Sequence, residues 1–223
     1  MLSIFQLSYF NVLHFKANQR MNKAGIFLIF LLFSVSSSGQ NKWSLKKEKD
    51  GIKIYTRHSE TSAFNDIQVD VDLPGTIEQI SSILWDVAKY TEWAYSTKSC
   101  ILIKKINDNE LVYYAEFEVP WPLSNRDLCA HVKMIKDTAS HSLKVVSVGV
   151  NNFVQEKKGI VRVKSKGNWN ITALPGKKMM HLNYILELQP GGSTPAWIIN
   201  LFSTRGPLES FQNLKQKMVA MNR

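Results

Sequence analysis

Cysteine is scarce in this sequence. The 223-residue chain contains two cysteines, Cys100 and Cys129, whereas a disulfide framework in so large a domain needs more. The strand pattern described below places these two residues on strands that flank a common neighbour. They would then be separated by about twice the ~4.8 Å strand spacing. That separation is too large for a disulfide bond, and we therefore expect two buried free thiols.

The sequence also lacks the short motifs of metal-dependent and nucleophilic catalysis. Its five histidines show no HExxH spacing, neither cysteine belongs to a CxxC pair, and no GxSxG is present. Gly191-Gly192-Ser193 lacks a Walker lysine and the Rossmann glycine spacing, so we interpret it as a turn followed by a helix cap. Glu116 and Glu118 share one face of a single strand, which favours solvation over paired-carboxylate catalysis. We predict no metal, no cofactor and no catalytic residue.

A block of clustered basic residues is absent as well. The chain carries 28 Lys and Arg against 18 Asp and Glu, a net charge of +10, and the first 39 residues contribute three of the basic ones and no acid. The basic residues are spread along strands, as in Arg162, Lys164 and Lys166, and no nucleic-acid-binding motif accompanies them. We therefore predict no nucleic-acid partner. The positive balance fits either a solvated surface or a transient contact with an anionic membrane surface.

One long apolar run is present near the start of the chain. Residues 24–35 (AGIFLIFLLFSV) follow a positive segment at Met21-Asn22-Lys23 and precede small residues at 36–39, which is typical of a secretory signal. At ~1.5 Å per residue the run is too short to span a ~30 Å bilayer core. We predict a leader over residues 1–39, with translation beginning at Met21, and export to the periplasm or the exterior. An unusually long positive segment and a buried core helix are the alternative interpretations.

Hydrophobic periodicity beyond residue 40 predicts an α+β domain. A capping-box spacing between Thr76 and Gln79 opens an amphipathic helix over about 76–88. Apolar residues from Trp197 to Met218 predict a long C-terminal helix that Gly206-Pro207 kinks or splits, and this helix should lie across the sheet. Two-residue alternation predicts strands at 52–57, 64–73, 100–106, 111–119, 126–135, 143–150, 159–171 and 179–188.

Four segments of the chain resemble motifs of the START (StAR-related lipid-transfer) family. Residues 43–57 resemble its opening W-x-L…D-G-I-x-V-Y-x-R, and residues 120–127 (PWPLSNRD) are similar to its P-x-P-x-S-x-R-D corner. Residues 167–169 match a G-x-W strand. Residues 189–200 (QPGGSTPAWIIN) resemble D-P-G-G-S-I-P-x-W-L-V-N, with Gln189 in place of the acid. The four motifs occur in the family's order over about 41–220.

The resemblance implies a helix-grip fold of the START and Bet v 1 type, formed by residues 40–223. In such a fold a curved antiparallel sheet wraps around a long C-terminal helix and encloses an internal cavity. The resemblance also implies binding, and possible transfer, of one lipid, sterol or similar hydrophobic molecule, without chemistry or a cofactor. Some sterol-handling members place a further basic residue six positions past the corner arginine. Val132 holds that position here, which argues against a sterol.

Inward-facing strand residues and the final helix are expected to line such a cavity. Arg126 and Asp127 are neighbours on one strand and point to opposite faces, so only one of them can reach it. Arg126 either binds an acidic or phosphate head group bidentately or belongs to a buried structural ion pair. Plain core packing is the alternative for every lining residue. The residues predicted to bind lipid are Tyr113, Ala115, Phe117, Arg126, Trp169, Tyr184, Ile198, Leu201 and Phe202.

Two other functions compete with lipid binding. An enzyme of the broader helix-grip superfamily, such as a cyclase, isomerase or hydrolase, would need an inward acid or base. Glu116, His131 and Tyr184 are the candidates for that role. A solid-cored module that attaches to membrane surfaces is the other alternative, and the positive charge balance motivates it.

Overall fold

A computed structural model describes residues 42–60, 62, 64–192 and 195–223, excluding the side chains of residues 196 and 197. The predicted leader therefore lies outside the described residues. Ten strands form one sheet. They are β1 (Ser44–Lys49), β2 (Ile52–Arg57), β3 (Asp66–Pro74), β4 (Thr97–Asn107), β5 (Glu110–Phe117), β6 (Arg126–Asp137), β7 (Ser142–Gly149), β8 (Val161–Arg162), β9 (Lys164–Ala173) and β10 (Met179–Gln189).

The helices lie between β3 and β4 and after β10. Helix α1 (Ile77–Trp85) is followed by a 3₁₀ helix (Val87–Glu92). The C-terminal helix consists of α2 (Ala196–Asn200), a π-helical turn (Leu201–Arg205) and α3 (Gly206–Ala220). None of the helices in the described part of the chain is both long and apolar enough to cross a bilayer.

The sheet is antiparallel except at one short strand. Its order is β1-β2-β3-β10-β9-β7-β6-β5-β4, and β8 pairs with β6 in parallel. The predicted large antiparallel sheet with a C-terminal helix, and with it the helix-grip fold, is confirmed. Strand β1 was not predicted, because all six of its residues are exposed and show no alternation.

In the structure one predicted element is shorter and two are divided. Helix α1 ends at Trp85 rather than near residue 88, because Asp86 adopts ψ 73° and leaves the helical region. The run 159–171 is two strands, since its first part pairs with β6 while the remainder pairs with β7 and β10. The C-terminal helix is divided before Gly206, as the Gly206-Pro207 pair suggested, and the division takes the form of a π-helical turn.

Side-chain periodicity explains where the main core lies. Helix α1 begins with the predicted capping box, in which the Thr76 hydroxyl accepts from the Gln79 amide and the Gln79 side chain accepts from the Thr76 amide. Helix α3 buries Leu208, Phe211, Leu214 and Met218 on one face. These residues pack with the inward side chains of β2, β3 and β10, so the core lies between the concave face of the sheet and α3.

Polar contacts hold α3 on two sides of the helix. The Lys215 Nζ donates to the carbonyl oxygen of Asp50 in the β1–β2 turn, at 2.8 Å. On the other side, the Tyr95 amide donates to the Ser210 hydroxyl at 2.9 Å, and Asn213 donates to the Trp93 carbonyl oxygen at 3.3 Å. The helix is thus held over the sheet at two separate places.

Candidate functional site

A cavity of about 240 Å³ lies between the concave face of the sheet and the C-terminal helix. Its walls come from α1, from β4, β5, β6, β7, β9 and β10, from the 3₁₀ helix and the connector after it, and from the π-helical turn and α3. Most of the lining side chains are apolar or aromatic. Among the described residues of the wall, the exceptions are one charged residue, Arg126, and the hydroxyl residues Thr97, Ser147, Ser165 and Ser210.

Strand alternation places the lining residues. On β5, Tyr113, Ala115 and Phe117 face the cavity, and on β10 Tyr184 does so together with Leu186 and Leu188. In register with Leu186, Gly167 on β9 has no side chain, and a Cβ there would lie 2.6 Å from the Ser147 Oγ and 3.3 Å from the Tyr184 ring. This glycine therefore allows the tyrosine ring to lie against the sheet, which gives a physical reason for the Gly-x-Trp motif.

An aromatic cluster forms the inner part of the cavity wall. The rings of Trp169 and Tyr184 have centroids 4.3 Å apart, and Phe211 from α3 lies 5.5 Å from Trp169. Tyr90 meets Trp93 edge-on at 5.1 Å and Tyr113 at 5.6 Å. Such contacts hold flat apolar surfaces in fixed positions, so this part of the wall presents a preformed aromatic surface.

The tyrosine hydroxyls in this wall are neutral donors. Burial raises the pKa of Tyr90, Tyr113 and Tyr184 above the usual tyrosine value. The Tyr90 hydroxyl donates to the Leu84 carbonyl oxygen at 2.7 Å. Protonated phenols in this setting can donate a hydrogen bond to a guest but cannot act as bases near neutral pH.

Arg126 is the charged group of the wall and is 4% exposed. Its Nε donates to the Pro190 carbonyl oxygen at 3.2 Å, and its Nη1 donates to the Ser124 carbonyl oxygen. No carboxylate among the described residues forms an ion pair with it. Burial lowers the pKa of the Arg126 guanidinium from its usual value, although an arginine remains charged under ordinary conditions. The predicted structural ion pair is therefore not formed by Arg126.

The neighbouring acid does form a buried ion pair, on the other face of the sheet. Asp127 accepts from Arg162 Nε at 2.7 Å and Nη2 at 3.0 Å, and from the Tyr114 hydroxyl at 3.1 Å. Arg162 belongs to β8, so this bidentate pair attaches the short parallel strand to β6. Asp127 thereby has its charge satisfied without contacting Arg126.

Seven of the nine residues predicted to bind lipid line the cavity: Tyr113, Ala115, Phe117, Arg126, Trp169, Tyr184 and Phe202. Ile198 and Leu201 lie outside the lining. They belong to a separate apolar cluster with Phe64 and Val119, because this side of the C-terminal helix faces the loop after β5. Sequence reasoning missed Tyr90, Trp93, Tyr95 and Phe211 as wall residues, although the first three stand out in the sequence as a run of closely spaced aromatics.

The acid–base candidates of the enzyme alternative are mostly directed away from the cavity. Glu116 lies between the inward residues Ala115 and Phe117 and pairs with Lys98 at 3.0 Å on the convex face. His131, in register with Val112, lies 3.3 Å from Glu110 on that face. Tyr184 is the one candidate in the cavity wall. Across the described ranges, no group of three His, Cys, Asp or Glu side chains could hold a metal ion.

A curved antiparallel sheet that holds a C-terminal helix over an apolar cavity defines a helix-grip protein. The family model described as START domain matches residues 32–221, and the chain belongs to this family. It is 29% identical to the phosphatidylcholine transfer protein of Mus musculus over 169 residues, which cover 74% of this chain and 78% of that protein.

Solved structures give the same result. The crystal structure of a STAR-related lipid transfer protein from Xanthomonas axonopodis aligns with a TM-score of 0.70 at 28% identity, covering 79% of this chain and 98% of that one. Human StAR-related lipid transfer protein 5 aligns with a TM-score of 0.71 at 18% identity, covering 90% of this chain and 96% of that one. The second likeness concerns the fold.

Proposed function

We propose that this protein binds one lipid or similar hydrophobic molecule in the cavity under its C-terminal helix and transfers it without a covalent step. The observation that carries the proposal is the cavity itself, with its mostly apolar and aromatic wall and one buried arginine. The names of the similar proteins from Mus musculus and Xanthomonas axonopodis describe lipid transfer and support the same function here.

Hydrophobic burial supplies enough free energy for this role. Each buried methylene contributes roughly 0.8 kcal/mol, so ten methylenes give about 8 kcal/mol before the costs of association are subtracted. In the proposed complex the guest contacts Tyr113, Ala115, Phe117, Trp169 and Tyr184. Reversible binding of this strength suits a carrier that must also release its guest.

Residues 196–205, comprising α2 and the π-helical turn, form what we call the lid. The lid packs against loop residues Phe64 and Val119 through a cluster that contains Ile198 and Leu201 and is separate from the main core. Phe202 extends from the lid into the cavity wall, and Gly206 and Pro207 follow directly. We expect the lid to move about this point when a guest enters, with Ile198 and Leu201 holding it closed.

A transient contact with an anionic membrane surface belongs to this proposal. Trp121 is 90% exposed in the loop after β5. Within that loop, Val119 and Leu123 lie on either side of Trp121 and pack in the cluster beneath the lid. An exposed indole suits the membrane–water interface, and positive charge favours anionic lipids. We further propose that residues 21–39 act as a signal peptide that exports the protein to the periplasm or the exterior.

Native mass spectrometry of gently purified protein tests the binding proposal. A retained apolar molecule is expected with the wild type. The substitution Ala115→Phe fills the cavity from β5 and should abolish retention, whereas Ala139→Phe on the exposed β6–β7 turn should not. Thermal unfolding of both variants confirms that they remain folded. An empty wild-type protein that also takes up nothing from a lipid extract would refute the proposal.

A further inference from the structure

The charge in the cavity wall constrains the guest. Arg126 is a buried cation whose two protein hydrogen bonds go to neutral carbonyl oxygens, at Ser124 and Pro190. A guanidinium has five N–H donors, so donors remain available, and within the described residues no acid neutralises it. A buried charge without a counter-ion is unfavourable. An anionic group on the guest would supply the missing partner and could be bound by two parallel hydrogen bonds.

The shape of the cavity constrains the guest further. Arg126 and Val132 both belong to the wall on β6, and six strand residues at ~3.3 Å each separate them by about 20 Å. Arg126 is in register with Phe117 near the loop after β5, whereas Val132 is in register with Leu111 at the other end of that strand. The cavity volume of about 240 Å³ lies below the roughly 300–1,000 Å³ that is usual for ligand pockets, and this small size favours a guest with one alkyl chain over a guest with two.

The two ends of the cavity differ in chemistry. The end near Arg126 includes the Pro190 segment and Phe202 of the lid, while Leu84, Tyr90 and Val132 supply aliphatic and aromatic surface further in. Polar and apolar ends of this kind orient an amphiphile, with its head at the lid and its tail inside. The phenol donors of Tyr113 and Tyr184 lie between these ends and cannot neutralise a cation.

We infer, resting on the proposed function, that the guest is a single-tailed amphiphile with an anionic head held by Arg126, rather than a two-chain zwitterionic phospholipid. The shared chemistry is a carboxylate or phosphate monoester on one alkyl chain. Either head group matches the planar fork of arginine, and each leaves the tail to occupy the inner part of the cavity.

Matched probes test the charge requirement. Undecanoic acid and its methyl ester have the same chain and differ in charge, so their affinities for the purified protein are compared by isothermal titration calorimetry. The acid should bind at least about tenfold more tightly, as expected for charge-assisted hydrogen bonds in a buried site. An alkyl phosphate of similar length, used as a competitor, distinguishes a phosphate preference from a carboxylate preference.

Variants assign the effect to Arg126. The ratio of acid to ester affinity should fall to about one in Arg126→Gln and remain partly in Arg126→Lys. Arg223→Gln, which removes an exposed arginine that follows α3 and lies outside the cavity lining, should leave the ratio unchanged. Because the ratio is measured within each protein, a variant with reduced overall stability still reports on the charge. An undiminished ratio in Arg126→Gln would overturn the assignment.

The remaining outcomes separate this inference from the proposed function. Equal binding of acid and ester by the wild type contradicts the anionic head while leaving hydrophobic binding intact. Extraction of fluorescent phosphatidylcholine from phosphatidylcholine vesicles as readily as the acid is taken up contradicts the single tail. Failure to bind every probe, together with an empty protein in native mass spectrometry, contradicts the proposed function itself.

Discussion

Arg126 and Asp127 show how one peptide bond can separate two different roles. The arginine contributes charge to the cavity wall, and the acid is 1% exposed on the opposite face, where it is paired with Arg162. Because neighbouring side chains of a strand point to opposite faces, the sequence alone predicts that Arg126 and Asp127 lie on different sides of the sheet. That Asp127 pairs with Arg162 depends on the parallel contact between β8 and β6, which no local pattern indicates.

Removing the carboxylate of Asp127 should destabilise the fold strongly. In Asp127→Asn the Arg162 guanidinium loses its counter-ion in a nearly buried setting, and breaking a buried pair costs about 3–5 kcal/mol. Urea unfolding provides the measurement. Glu209→Gln is the matched control, because it breaks the exposed pair with Arg205 and should cost at most about 0.5 kcal/mol. Similar losses in both variants would show that the Asp127 pair contributes little.

The two thiols should be inert in the native protein. Burial raises the pKa of Cys100 to about 12 and also raises the pKa of Cys129, so little of the reactive thiolate exists at pH 8. Cys100 is in register with Ala115 on β5, and Cys129 is in register with Tyr114 on the same strand. Because neighbouring residues of a strand face opposite ways, the two thiols lie on opposite faces of the sheet. The prediction of two buried free thiols is confirmed.

Titration with Ellman's reagent at pH 8 measures this reactivity. We expect no thiol to react with the folded protein and two to react after unfolding in guanidinium. Rapid reaction of one equivalent in the folded state would show that a strand at the edge of the sheet opens readily.

At the scale of elements, hydrophobic patterning predicted most of the structure, because most strands here bury one face. The strands β2, β3 and β10 alternate clearly and were found near their observed bounds. Patterning failed where both faces of a strand are equally exposed, because apolar and polar residues then do not alternate, as in the fully exposed β1. It also failed where a run of constant alternation changes its pairing partner, as between β8 and β9.

Helix α3 should owe its position to its buried face. Leu214 lies on this buried face, is fully buried and is not part of the cavity lining, whereas Val219 on the same helix is 38% exposed. Leu214→Ala should lower the free energy of unfolding by about 2–5 kcal/mol through lost burial and the void that remains. Val219→Ala removes a smaller, partly solvated side chain and should change it by about 0.5 kcal/mol or less. Chemical denaturation compares the two, and equal effects would contradict the packing described for α3.

At the scale of the whole molecule, the sequence indicated which strand residues face inward but not how much space they leave. Alternation located Tyr113, Trp169 and Tyr184 in the wall, since parity depends only on neighbours along a strand. The aromatic contribution of the 3₁₀ helix and α3, at Tyr90 and Phe211, depends on how distant elements pack. The same holds for Ile198 of the lid. Its side chain is buried against Val119 in the loop after β5 rather than in the cavity, and this depends on the path of that loop.

A guest in the cavity should stabilise the entire domain, because the cavity exists only when sheet and helix are assembled. Binding to the folded state alone adds about 2.7 kcal/mol at a ligand concentration one hundred times Kd. At roughly 2–4 °C per kcal/mol for a protein of this size, the melting temperature should rise by about 5–11 °C. Differential scanning fluorimetry of delipidated protein with undecanoic acid measures the shift.

The cavity-filled variant distinguishes internal binding from adsorption at the surface. Ala115→Phe blocks the interior but leaves the basic exterior unchanged, so its melting temperature should not respond to the same ligand, while Ala139→Phe should respond like the wild type. A ligand that attached to the exterior would stabilise all three proteins equally, and its effect would decline as salt screens the charges. A shift that survives in Ala115→Phe and disappears at high salt would therefore favour a membrane-surface module over a lipid carrier, because only the carrier requires the space beneath α3.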